Sequence, residues 1–312
     1  MTGRQRNAKI FRSYEEQIDL LASRGMSIHD RDWAVDHLRS INYYRLSGYW
    51  YPFRMLRGEG EPRSDRFLPG TDLREVVALH DFDARLRAAA FTALSHVELT
   101  IRARLGHELG RVDPLIHHRP DLLGPTARQS RSGLPSASYT TWSRQFDEEL
   151  RRSREDFVAH HRENYRGRLP IWAAVEILDW GKLTRLFGMS PRDVRDAVAS
   201  EIALTGPQLE SWLKSLNILR NYAAHHGRVF NRVFTLTPRL PRTGAPGIPA
   251  LAPVMNRAFG QLSIVQYLLT SFQVGNAAVL PAVMRTFPRI PVVPISQTGA
   301  PDDWEDSPLW TP

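Results

Sequence analysis

Residues 216–232 read LNILRNYAAHHGRVFNR. Apolar residues at helical spacing give way to Arg220, Asn221, His225 and His226. Gly227 stands where the helix should close, and Arg228 and Arg232 follow. A histidine titrating near neutrality can move the proton of a ribose 2′-hydroxyl or of a leaving oxygen. An arginine can grip a phosphate and stabilise charge on its equatorial oxygens, and an Asn amide can orient the imidazole or the phosphate. The set suits phosphodiester cleavage. Asn221 and His225 share a helical face, but Arg220 and His225 stand about 140° apart on an ideal helix. Bringing them together needs the reach of the arginine or an unwound helix end. The competing reading is a polar helix end whose histidines face the negative end of the macrodipole. An Arg-x4-His pair alone recurs by chance and does not decide between the two.

A second such pair, Arg102 and His107, lies in SHVELTIRARLGHELG. Glu98 precedes Arg102 by four residues, the spacing of a helical ion pair, so a structural Glu98–Arg102 bridge and a surface His107 are expected. All three are kept as supporting candidates for the site. The stretch INYYRLSGYWYPFR, residues 41–54, crowds aromatics around an arginine. Such clusters can stack on unpaired bases, although aromatics at helical spacing more often fill a core. Arg45, with Tyr43 and Tyr44 beside it, is the candidate for RNA contact here, as are Arg228 and Arg232 beyond the main motif. The pairs His117–His118 and His160–His161 lack carboxylates at metal-binding spacing and are expected at the surface. No metal site and no cofactor are expected, and no phosphate-binding glycine loop or nucleophile elbow occurs.

The elements that would hold these residues are helical. Ser13 and Glu16 have the spacing of a capping box ahead of a first helix that Gly25 stops. Asp30 or Asp32 can open a second helix. A long helical stretch with apolar residues at three- and four-residue spacing starts from Thr71 as N-cap, with no Pro or Gly until Gly106. PIWAAVEILDWGKLTRLFGMS reads as an apolar helix broken near Gly181, and Ser190 and Thr205 are plausible caps of two more helices. APVMNRAFGQLSIVQYLLTSF reads as a last amphipathic helix. Few segments alternate as strands do, so the class is all-α. The expected organisation is an N-terminal helical segment over 1–60 with a basic, mobile start at 1–12. A helical domain over 61–285 follows, with a loop-rich insertion at about 110–140, and then a Pro-rich disordered tail over 286–312.

The absence of cysteine excludes disulfides, thiolate zinc sites and cysteine nucleophiles. The formal charge of +8 favours a polyanionic partner. Arg supplies nearly all of it, the lysines being only Lys9, Lys182 and Lys214. No signal-peptide core and no bilayer-length apolar run are present, so a cytoplasmic protein with no membrane partner is expected.

Five blocks taken together resemble the Abi-like proteins of the AbiD/AbiF abortive-infection group: SYEEQIDLLASRG, INYYRLSGYWYPF, LHDFDARLRAAAFTALSHVELTIRARL, PIWAAVEILDWGKLTRLF and LRNYAAHHGRVFNR. Their order and spacing carry the resemblance over residues 11–270. It implies a HEPN-like helical bundle with additional N-terminal helices and a role in bacterial defence against phage. It implies a metal-independent endoribonuclease with Arg220, Asn221 and His225 as catalytic residues. It also implies a homodimer whose two motifs meet, and RNA as substrate, with a small noncoding RNA associated in some members. The alternative on the same fold is a non-catalytic RNA-binding module. A DNA-binding regulator fits the charge but lacks a basic recognition helix.

Overall fold

The computed structural model describes residues 9–58, 60–130 and 132–311. The basic start at 1–8 therefore lies outside the described residues. Among them, regular structure is α- and 3-10 helix, with isolated bridge pairs and no strand. The fold is all-α. The chain divides into two compact units, Met1–Arg85 with Thr286–Ile295, and Leu86–Arg285 with Ser296–Pro312.

The first unit holds α1 (Tyr14–Ser23), α2 (Arg31–Ile41), α3 (Tyr43–Trp50) and the first turns of α4 (Leu73–Val112). The capping box forms: Ser13 Oγ accepts from the Glu16 N–H, and Glu16 accepts from the Ser13 N–H at 2.7 Å. Asp30 caps α2. Thr71 does not cap α4. It is buried and spends its hydroxyl on the Leu68 carbonyl, while the Asp72 carboxylate accepts from the Arg74 N–H at 2.8 Å. Tyr49, Trp50, Phe53 and Phe67 are buried, so most of the aromatic stretch does fill a core. Tyr49 donates to the buried Asp83 carboxyl group at 2.5 Å, which gives a buried polar group a hydrogen-bond partner.

The second unit contains the rest of α4, then α5 (Ala137–Arg152), α6 (Asp156–Asn164), α7 (Ile171–Ala174), α8 (Trp180–Met189), α9 (Arg192–Ser200), α10 (Gly206–Ala224), α11 (Ala258–Phe272) and α12 (Val279–Met284). The helix α4 runs through Gly106 and Gly110. A helix-interior glycine costs roughly 1 kcal/mol against alanine, and here both serve a close approach. A Cβ on Gly110 would lie 2.8 Å from the Trp172 ring, and one on Gly106 would lie 3.1 Å from the Trp172 backbone.

The helix α10 buries Leu209, Leu213, Leu216 and Leu219 on one stripe and packs against α8, α9 and α11. Thr205 caps it, as expected, with the Gln208 side chain accepting from the Thr205 N–H at 2.9 Å. Ser190 instead ends α8, its hydroxyl donating to the Leu186 carbonyl, and α9 starts behind Pro191. The expected break at Gly181 falls earlier. A 3-10 turn over Val175–Ile177 and an extended Leu178 precede Asp179, the N-cap of α8, and Gly181 lies inside the helix. α11 is not amphipathic. It is buried nearly all round, and it holds polar residues by internal bonds such as the Ser215–Gln261 hydrogen bond at 2.7 Å.

Two further expectations, the surface placement of His117 and the disorder of the tail, are corrected. The segment between α4 and α5 is ordered by tertiary bonds: the Gly124 N–H donates to the Met189 carbonyl at 2.7 Å, and Thr126 to that of Gly188 at 2.9 Å. Within it His117 is fully buried, not at the surface, against Phe146. The Pro-rich tail is not disordered. Trp310 is buried, stacks on Phe259 at 4.7 Å and donates its indole N–H to Ser263 at 3.0 Å. Two tryptophans in that stretch, Trp304 and Trp310, outweigh its proline content because each buries a large apolar surface.

Candidate active site

The end of α10 builds the site. The helix stops at Ala224, and His225 is its C-cap, with φ −99°, ψ 21° and its N–H bonded to the Asn221 carbonyl at 3.0 Å. The left-handed residue is His226, φ 56°, rather than Gly227. Gly227 donates to the Tyr222 carbonyl at 2.8 Å, the six-to-one bond of a Schellman cap. Gly227 is still required, since a Cβ there would meet the Tyr222 ring at 2.8 Å. Unwinding at His225 and the length of the arginine resolve the helical-wheel conflict. Arg220, Asn221 and His225 line one cavity of about 400 Å³.

The other walls come from α5 and α8. Gln145, Asp179, Trp180, Gly181, Lys182, Arg185 and Asn217 complete the lining. Three permanent cations, Lys182, Arg185 and Arg220, thus surround a single carboxylate, Asp179. Lys182 is largely buried and lies 2.6 Å from Glu149 while also pairing with Asp179. Burial works to raise the Asp179 pKa, but hydrogen bonds from Lys182 and the charges of Lys182 and Arg220 outweigh it and hold the carboxyl below its ordinary value. Burial likewise works against the Lys182 ammonium, and its two carboxylate partners raise its pKa nonetheless. Arg185 donates to the side-chain amide oxygen of Gln145 at 3.2 Å. Arg220 lies over Phe91, with the guanidinium carbon 5.7 Å from the ring centroid, and its buried Nε–H has no hydrogen-bond partner among the described residues. An unmatched cationic donor in a cavity of net positive charge is a place for an anion.

The remaining sequence candidates lie elsewhere. Arg102 is mostly buried. It pairs with Glu98 at 2.5 Å and donates to the Leu178 carbonyl at 2.6 Å, so the expected structural bridge forms and braces the turn that leads into Asp179. His107 is exposed, 3.8 Å from Glu108, and does not line the cavity. Neither do His226, Arg228 or Arg232, the last stacking on Tyr222 at 3.9 Å. Tyr43, Tyr44 and Arg45 belong to the first unit. Tyr43 packs edge-on against buried Trp50 at 4.8 Å, whereas Tyr44 and Arg45 are exposed. Sequence reasoning missed Gln145, Asp179, Lys182, Arg185 and Asn217. One signal was available: Lys182 is one of only three lysines in an arginine-rich chain. Among the described residues no group of three or more His, Cys, Asp or Glu stands together as a metal site would require.

The family model for Abi-like protein matches residues 36–231, well over half of the chain and including the whole cavity lining. The chain belongs to the Abi-like protein family. No curated protein and no solved structure matches it. Membership suggests a role in abortive infection, a defence against phage. In this Abi-like protein the match stops just before Arg232, so α11, α12 and the buried tryptophans of the tail lie beyond it. Among the described residues no helix is long and apolar enough to cross a membrane.

Proposed function

We propose that this Abi-like protein is an endoribonuclease of HEPN type that acts in the cytoplasm during abortive infection and cuts RNA without a metal. The observation that carries the reading is the convergence of Arg220, Asn221 and His225 on one cationic cavity. The 2′-oxygen of the substrate attacks the adjacent phosphorus, the bond from phosphorus to the 5′-oxygen breaks, and a 2′,3′-cyclic phosphate and a 5′-hydroxyl result. Arg220, whose Nε–H is unmatched, faces the phosphate, with Lys182 and Arg185 adding positive potential. His225 takes the 2′-proton or supplies one to the leaving oxygen. The lone carboxylate, Asp179, is engaged by Lys182 and so suits positioning better than metal binding.

A single histidine serves one of the two proton transfers at a time. A second copy of the chain, with its own motif across a two-fold axis, would serve the other, so the active form is a homodimer. Cleavage is tested with an RNA carrying one 2′-deoxy sugar at the cut site. Resistance at that position with activity kept in EDTA is expected. Efficient cutting there, or activity lost in EDTA and restored by magnesium, would overturn the mechanism. Binding without any cleavage would leave the RNA-binding module as the better reading.

A further inference from the structure

We propose a second RNA-contacting site in the same unit, a groove that stacks an unpaired base. The groove has a volume of about 580 Å³, and Trp172, Tyr165, His161, Asn164, Arg166 and Arg168 stand in its lining, which contains no Asp or Glu. Trp172 is 51% exposed and Tyr165 56% exposed, which is unusual for side chains of this size. Trp172 is held in place nonetheless, because Gly106 and Gly110 clear a seat for it on α4. One part of the indole is fixed against the helix and the rest is offered to solvent. A rigid aromatic platform of this kind binds any base through its π face.

Polar groups around the platform match a nucleic-acid strand. Among the described residues neither the Arg166 nor the Arg168 guanidinium has a hydrogen bond or an ion pair. Arg166 holds a left-handed backbone, φ 56°, immediately before Gly167, φ 72°. That is an uncommon conformation for a long side chain, and it sits in the turn that lines the groove. His161 packs against Tyr165 at 5.1 Å, and its Nδ1 lies 2.7 Å from the Phe157 carbonyl. That contact assigns the proton to Nδ1 and leaves Nε2 as an acceptor when the ring is neutral. Unpaired cations without carboxylates favour a phosphate-bearing strand over an apolar or basic peptide. The inference rests on RNA being the substrate, and it assigns the groove the role of holding a single-stranded segment away from the cut.

The test uses the full chain and a fluorescent, single-stranded 2′-O-methyl oligonucleotide, which the proposed chemistry cannot cut. Trp172→Ala and the double variant Arg166→Ala/Arg168→Ala are each expected to weaken binding about tenfold, with circular dichroism unchanged. Trp172→Phe, which keeps an aromatic face, should recover much of the loss if the first variant folds poorly. Ultraviolet crosslinking of the wild type should place adducts within residues 161–172. Unchanged affinity in the exposed-arginine variant together with adducts only elsewhere would overturn the proposal. So would tight binding of an acidic peptide that RNA does not displace. The two readings fail separately: crosslinking in the groove without cleavage of ordinary RNA sinks the nuclease, and cleavage without crosslinking there sinks the groove.

Discussion

Arg102 and Leu178 lie 76 residues apart, and the Arg102 guanidinium donates to the Leu178 carbonyl at 2.6 Å. The next residue is Asp179, which caps α8 and lines the cavity. A residue on one helix thus fixes the strand-like turn that aims another helix at the site.

Removing that brace should cost both fold and activity. Arg102→Ala leaves the mostly buried Glu98 without its partner and the Leu178 carbonyl unsatisfied. Breaking a buried pair from one side costs about 3–5 kcal/mol, against little for an exposed pair. Urea denaturation should show a loss in that range. A change below about 0.5 kcal/mol would show that the clamp contributes nothing.

Within the α10 motif the two histidines should separate cleanly. His225→Ala is expected to abolish cleavage, and Arg220→Lys to lower it about a hundredfold, because a point charge replaces a planar fork. His226→Ala should keep most activity, since His226 does not line the cavity. His226→Gly should be well tolerated by the fold, because φ 56° suits glycine. An essential His226 with a dispensable His225 would reverse the assignment.

Acid should destabilise the protein through His117. Burial, with a smaller contribution from neighbouring His118, lowers its pKa to about 3. The unfolded chain takes up a proton near the ordinary value of about 6.5 while the folded chain does not. Stability is therefore full above that value and falls as the pH drops towards 3. The loss should reach about 2 kcal/mol by pH 5. His117→Leu should flatten the profile of Tm between pH 7 and pH 5, and an unchanged slope would show that other groups cause it.

The tail should behave as core. Trp310→Ala removes a buried indole, its stack on Phe259 and its bond to Ser263. A loss of about 3–5 kcal/mol is expected by chemical denaturation, as for other large-to-small core changes. A loss near zero would mean that the tail is dispensable.

RNA affinity should fall steeply with salt, since phosphate contacts release counterions. A flat response between low and physiological salt would argue against the cationic cavity as an RNA site.

What could be read from sequence was local. Ser13 and Glu16 are three residues apart and reveal their capping box directly, and Arg220, Asn221 and His225 share one helix end. Asp179, Lys182 and Gln145 meet Arg220 only through tertiary packing, and no spacing rule connects them. Thr71 and Ser190 fit the residue preference for an N-cap, but neighbouring Asp72 and Pro191 took those positions in the structure. In the tail the proline content points to disorder, whereas Trp304 and Trp310 are buried through tertiary packing that no local pattern encodes.

Within the second unit, α4 carries several supports in succession. Phe91 lies under Arg220, Glu98 and Arg102 hold the turn before α8, and Gly106 and Gly110 seat Trp172. These positions recur at intervals of seven or four residues and span about 28 Å of helix. Point changes along it disturb one support at a time. A single inserted or deleted residue would rotate every later support by about 100°. Evolution can therefore vary the lettering of this helix far more freely than its length, and natural relatives should differ here by substitution and almost never by a gap.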